Sequence, residues 1–343
     1  MPQVQTTLAI VLRVYLGPQD HPAMNQIAAA VRRDNGDREL GTVEGFHNHY
    51  RHLDQAALPH DCALIELEGQ VVAYGRASWS PLANGGAQVE CILNIRPGAR
   101  GIGVEERLIE HAVWRARELV TERAGARPVN LVVFTSGRDA VQRTLLEARG
   151  FRLERRGAQL IRPHFEVVPE LPMPAPFEVR PIDPYDRAMH RRIYDASARA
   201  FADSYGEQAP SEANFAEFVS DPTFKPALWR VAFDGDRIAG QILNYLDDPE
   251  PDGTWIGWTE GISVQPEYRR RGLARALLAL SLRTVRDAGA TCAGLGVDTQ
   301  NPNNALGLYE SMGYHIVSEN FEYGLGPLQP FAANEPFARG YAR

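Results

Sequence analysis

Residues 255–274, Trp255-Ile-Gly-Trp-Thr-Glu-Gly-Ile-Ser-Val-Gln-Pro-Glu-Tyr-Arg-Arg-Arg-Gly-Leu-Ala274, hold the densest chemistry in the chain. Arg269, Arg270 and Arg271 set three positive charges beside Gly272. The apolar stripe Leu273, Leu277 and Leu280, continued by Thr284 and Val285, marks a helix that begins there. A helix start leaves backbone N–H groups unpaired and carries partial positive charge. Glycine lets an anion come close to that backbone. Such an assembly is a cradle for a phosphate or pyrophosphate. It is not a Walker loop, because no Gly-Lys-Ser/Thr follows, and the G-x-G-x-x-G dinucleotide spacing is missing. Upstream, alternation of Trp258, Glu260, Ile262 and Val264 reads as a strand with a breaker at Pro266.

Arg269-x-x-Gly272-x-Ala274 resembles the acyl-CoA loop of the GNAT acetyltransferases, Gln/Arg-x-x-Gly-x-Gly/Ala. Downstream, Asn301-Pro-Asn-Asn-Ala-Leu-Gly-Leu-Tyr-Glu-Ser-Met-Gly-Tyr314 is similar to the second motif of that family. The two motifs in this order, with a helix and a strand between them, make the match specific. The resemblance implies an α+β fold, a central, mostly antiparallel mixed sheet flanked by helices. It implies acetyl-CoA as co-substrate, no metal, and direct transfer of acetyl to a primary amine of a small molecule or peptide. The pantetheine arm is expected beside Ile262, Ser263 and Val264 like an added strand, with a backbone N–H near Ile262 facing the thioester oxygen. Val264 to Ala274, including Arg269, Arg270, Arg271, Gly272 and Leu273, would hold pantetheine and pyrophosphate. Asn301 occupies the position of a family asparagine that contacts the cofactor arm. Tyr309 occupies the position that serves as general acid in many members.

Acyl transfer to an amine requires that an ammonium lose its proton and that the carbonyl oxygen be stabilised as it gains charge. The departing thiolate can also take a proton. Glu260 is the candidate general base, direct or through water. Set between Trp258 and Ile262, its carboxyl is expected to titrate above the ordinary range. Singly, each residue has a plainer reading: Glu260 a salt-bridged strand residue, Tyr309 a packed helix tyrosine, Asn301 a helix cap. The two motifs in register favour chemistry. Two other functions share these residues. A non-enzymatic acyl-CoA sensor would bind without turnover, and an O-acyltransferase would lack the pKa signature of an amine.

The chain of 343 residues is long enough for two domains. A net charge of −7 argues against a nucleic-acid partner, and the arginine cluster is local. No apolar run approaches the ~20 residues needed to span a bilayer, and the first residues lack the basic start of a secretory signal. Cys62, Cys91 and Cys292 are scattered and read as reduced core thiols of a cytoplasmic protein. Nothing in the chain sets an oligomeric state.

The elements that must position the site occur twice. Each copy reads strand, two helices, hairpin, strand, loop, long helix, strand, short helix and closing strand, so a tandem pair is expected. The boundaries are an N-terminal domain over 1–168, a proline-rich linker over 169–176, a catalytic domain over 177–326 and a tail over 327–343. Phe165 to Val168 could be the last strand of the first domain. In the first copy, aligning Pro97 with Pro266 puts Cys91 opposite Glu260, and aligning the Gly-Phe and Gly-Tyr pairs puts Leu146 opposite Tyr309. Arg100 is its sole loop arginine, so no catalysis is expected there, although Gly101-x-Gly103 could still bind a CoA phosphate. Among tandem family members the layout is similar to one that acetylates a cysteinyl amino-sugar inositol with its C-terminal half. His47, His49 and His52 invite a metal reading, but their spacing does not converge and no Cys pair or acidic set is near. Asp203, Tyr205 and Glu207 could face the acceptor.

Overall fold

The computed structural model describes residues 9–38, 41–82, 84–125, 127–165, 167–202, 210–246, 248–250 and 252–331. Asp203, Tyr205 and Glu207 lie outside the described residues. In chain order the elements are β1 (Ile10–Val14), α1 (His21–Asn35), α2 (Val43–Arg51), α3 (Leu58–Asp61), β2 (Cys62–Leu67), β3 (Gln70–Pro81), β4 (Ala87–Ile95), α4 (Val104–Arg123), β5 (Val129–Ser136), α5 (Ala140–Ala148) and β6 (Arg152–Arg162). The plan then repeats as β7 (Glu178–Arg180), α6 (Arg187–Phe201), α7 (Glu212–Ser220), β8 (Arg230–Asp234), β9 (Arg237–Leu246), β10 (Ile256–Val264), α8 (Leu273–Asp287), β11 (Cys292–Asp298), α9 (Ala305–Ser311) and β12 (His315–Leu325).

The chain forms two compact units, and they are interleaved where consecutive domains were expected. One comprises residues 1–156 and 319–343, the other residues 157–318. In the first, β1 to β5 pair in sequence order, and the chain's closing strand β12 pairs antiparallel with β5, Asn320 facing Ser136 and Leu325 facing Leu131. In the second, β7 to β11 pair in order, and β6 supplies the next strand, Arg162 facing Ala293 and Gly157 facing Asp298. Each unit thus takes its closing strand from the other half of the sequence. Within the two units, β4–β5 and β10–β11 are parallel and the other described pairings are antiparallel.

Each sheet buries both faces. In the first unit α4 covers one face through Leu108, Ile109, Ala112 and Leu119, and α1 and α2 cover the other through Met24, Ile27 and Tyr50. In the second, α8 covers one face through Leu277, Leu278 and Leu282, and α6 covers the other through Ile193 and Ala196. Phe165 and residues 167–176 are neither strand nor free linker. Phe165, Val168, Leu171 and Met173 pack on the α8-side core as an irregular belt.

β12 carries one buried irregularity. The Glu322 carboxyl has a buried oxygen with no partner among the described residues. Burial, then the neighbouring Glu154, push it up to about 7, Arg155 opposes the shift, and Glu90 adds to it. The fold therefore prefers the neutral carboxyl. An unfolded chain sheds that proton near 4.5, so the contribution is complete below that pH and lost as pH rises through about 7. Glu322→Gln is expected to raise unfolding free energy at pH 8 by about 1–2 kcal/mol, discounted for partial exposure. Urea midpoints at pH 8 and pH 4 check this; the gain should vanish at pH 4.

Candidate active site

The second unit contains a groove of about 670 Å³ whose walls run from β10 through the start of α8 on one side and from the end of β11 to α9 on the other. That size suits a small-molecule ligand. Its origin is a parting of strands. β10 and β11 pair only at Ile256–Cys292, Gly257–Ala293 and Trp258–Gly294. Past that point side chains replace the ladder. Thr259 Oγ1 donates to the Gly294 carbonyl at 3.2 Å and accepts from the Tyr314 hydroxyl at 2.9 Å. The Gly296 N–H donates to Glu260 Oε1 at 2.7 Å.

On its other edge β10 bulges. Its register with β9 shifts between Glu260 and Ser263, and Gly261 sits at φ +59°, in the left-handed region. A bulge adds an unpaired residue and re-aims the strand after it. The face shared by Glu260, Ile262 and Val264 in a regular strand is therefore broken after Glu260, which corrects the simple alternation. Trp258 is core and fully buried, while Glu260, Ile262, Ser263 and Val264 all line the groove. The Ser263 hydroxyl is buried there without a hydrogen-bond partner among the described residues, as expected of an atom kept for a ligand.

The helix start is bare. α2, α5, α6 and α7 are each capped by a side chain, from Thr42, Asp139, Asp186 and Ser211. α8 begins at Gly272, φ +79°, with no side-chain cap, and a Cβ there would project into open space. Its first N–H groups keep their affinity for an anion. Arg270 lines the groove and is itself left-handed, φ +61°. Leu273 and Ala274 also line it, Leu273 being 1% exposed. Arg269 lines it too, but it donates to the Val264 carbonyl at 3.2 Å and the Ala200 carbonyl at 2.8 Å, tying the loop to the end of α6. Arg271 is not among the lining residues. Its guanidinium lies over Tyr268, 5.5 Å from the ring centre, and donates to the Glu267 carbonyl. Arg275 takes its place at the groove and donates to Ser311 Oγ at 2.7 Å. Its trace in the sequence was an arginine in the first turn of the expected helix.

Asn301 lines the opposite wall and accepts from the Asn303 N–H at 2.8 Å, a local turn within the loop. It does not cap α9; Asn304 holds that position, φ +54°. Tyr309 lines the groove at 6% exposure, edge-on to Tyr314. Burial, then the charge of Glu260, raise its phenol above the ordinary range, so it keeps its proton at neutral pH. An uncapped helix start with arginines, a bulged strand edge and an orphaned hydroxyl fit the phosphates and the amide-bearing arm of an acyl-CoA.

The matching place in the first unit is filled. β4 and β5 stay paired through six positions, including Cys91–Val133 and Ile92–Phe134. β3 and β4 keep one register throughout, without a bulge. Glu105, fully buried, accepts from the Gly101 N–H at 2.8 Å, so a carboxyl of the chain itself takes a loop N–H just ahead of α4. Arg100 bonds Asp34 at 2.6 Å and Asp139 at 2.9 Å, and Leu146 is core. The histidines have separate partners: His47 meets His21, His49 meets Arg76, and His52 accepts from Arg51. Among the described residues no group of three or more His, Cys, Asp or Glu could hold a metal, and no helix is long and apolar enough to cross a membrane.

A family model described as the acetyltransferase (GNAT) family matches residues 190–314. A mycothiol acetyltransferase of Kineococcus radiotolerans is 30% identical over 317 residues, covering 90% of this chain and 93% of that protein. That of Salinispora tropica is 30% identical over 254 residues, covering 71% and 80%. That of Thermobifida fusca is 32% identical over a shorter span of 136 residues, 38% of this chain and 42% of that protein. Among solved structures, a GCN5-related N-acetyltransferase from Sphaerobacter thermophilus shares the fold at TM-score 0.68 and 22% identity, covering 94% of this chain and 97% of that one. A tandem GNAT protein from the clavulanic acid biosynthesis pathway does so at TM-score 0.62 and 14% identity, covering 94% and 100%. The chain belongs to the GNAT acetyltransferase family. It is an acetyl-CoA-dependent N-acetyltransferase.

Proposed function

We propose that the second unit alone binds acetyl-CoA and transfers its acetyl group to the primary amine of a cysteinyl amino-sugar inositol of the mycothiol type. The observation that carries the site is the contrast between the two bare-or-filled helix starts. Both loop glycines, Gly272 and Gly101, open onto space, but the Gly101 N–H is already held by Glu105 of its own chain, whereas no side chain caps α8 at Gly272. The acceptor class rests on relatives named mycothiol acetyltransferase, one of which aligns along 90% of the chain.

Acetyl-CoA supplies an acetyl group activated as a thioester. The α8 start and Arg270 hold its phosphates, with Arg275 beside them. Ile262, Ser263 and Val264 present backbone and hydroxyl to the pantetheine arm, and Asn301 faces it from the opposite wall. Glu260, oriented by the Gly296 N–H, takes the proton of the acceptor ammonium, directly or through water. The N–H groups at the bulge, near Ile262, stabilise the carbonyl oxygen as charge builds. The free amine attacks the thioester carbon, and as the C–S bond breaks Tyr309 protonates the departing sulfur while the surplus proton on the nitrogen replenishes the phenol.

Calorimetry with acetyl-CoA is expected to give one site per chain; two equivalent sites would overturn the silent first unit. Turnover with the cysteinyl amino-sugar inositol should exceed that with a simple polyamine, and the reverse order would reassign the acceptor. The arginines should separate. Arg270→Ala is expected to weaken acetyl-CoA binding about tenfold, the scale of a charge-assisted bond, and Arg271→Ala by less than about twofold.

A further inference from the structure

The register of β10 and β11 makes Glu260 and Gly296 the rung that would follow Trp258–Gly294 by two residues. That rung does not form. The Glu260 carboxylate reaches across in the plane of the sheet and takes the Gly296 N–H itself. Paired strands run about 4.8 Å apart, too close to admit a carboxylate between them. The bond to Gly296 and the backbone rung therefore exclude one another. The chain contains its own control. In the first unit the position of Glu260 is Cys91, whose side chain has no charged oxygen and is shorter, and there β4 and β5 stay paired at Cys91–Val133 and beyond. Thr259 assists by taking the Gly294 carbonyl, and the residue in its place in the first copy is Glu90.

We propose that Glu260 is, besides its role as base, the strut that holds the acyl-CoA groove open. Without a side-chain acceptor long enough to reach Gly296, β10 and β11 zip past Trp258 as their counterparts do, and the space for the pantetheine arm closes. This rests on the groove being the acyl-CoA site, but not on Glu260 being the base.

The test is a pair of substitutions read by acetyl-CoA calorimetry and by hydrogen exchange of the ligand-free protein over residues 293–298. Glu260→Gln retains an oxygen of the same reach and is expected to bind acetyl-CoA within about twofold of the parent, with exchange unchanged. Glu260→Cys, the residue of the first copy, is expected to bind at least about tenfold more weakly because the open state is depopulated. Its Gly296 amide, the one in this stretch that faces β10, should exchange more slowly, as a backbone ladder bond replaces the bond to a side chain. Should Glu260→Cys not fold, Glu260→Asp reads the same contrast, keeping the charge and shortening the reach by one methylene. Parent-like affinity and exchange in the shortened variant overturn the strut, as does equal loss of affinity in Glu260→Gln. Neither result touches the base assignment, which is read from the turnover of Glu260→Gln.

Discussion

Glu260→Gln is expected to cut turnover by roughly 10²–10⁴ and leave the acetyl-CoA dissociation constant within about twofold. An amide oxygen still accepts the Gly296 N–H, so the side chain keeps its place. It cannot take a proton. The loss should therefore fall on kcat, since an interaction used only in the transition state has been removed. Raising pH should recover part of it, because a growing fraction of the acceptor arrives already as free amine. Single-turnover rates from pH 6 to 9.5, with affinity measured in parallel, check this. Undiminished turnover removes Glu260 from proton transfer.

Tyr309→Phe is expected to lower turnover by about 10²-fold, the lower end for general acids, because a thiolate leaves readily even unprotonated. The hydroxyl lies in the groove wall and its pKa is raised by burial and by Glu260. The sign matters for the pH profile. A phenol raised above 10 stays protonated as pH climbs through 9, so its ionisation gives the parent enzyme no alkaline decline there. Acetyl-CoA affinity should hold in Tyr309→Phe. Undiminished turnover in Tyr309→Phe removes it as the general acid, and a parent profile that falls near pH 8 and loses the fall in Tyr309→Phe would contradict the raised pKa.

The strand, arginine turn and helix around Gly272, and the approximate position of most elements, were legible because they rest on local periodicity and punctuation; α3 was not, and β6 is one strand where a hairpin was expected. The bulge was not, although Gly261 directly after Glu260 was its trace. The first copy has Ile92 there, a residue that does not take φ +59° without strain. Which arginines face the groove depends on the left-handed turn at Arg270, and no spacing rule contains that turn. It swings Arg271 onto Tyr268 and leaves the groove to Arg275. The interleaving was hidden for another reason. β6 and β12 each follow a Gly-aromatic pair after a short helix, so their patterns fit either sheet edge equally well. Only the pairing itself, β6 with β11 and β12 with β5, tells them apart.

That crossed ownership of closing strands ties the two halves of the sequence to each other. A gene cut at the proline-rich belt would make a C-terminal fragment beginning near residue 177. It would keep every groove-lining residue yet leave β11 with an open edge where Gly157–Arg162 belongs. Unpaired edges invite aggregation. Each half is a donor of backbone to the other, and neither can be lost, shuffled or expressed by itself without taking a strand of the other's sheet with it.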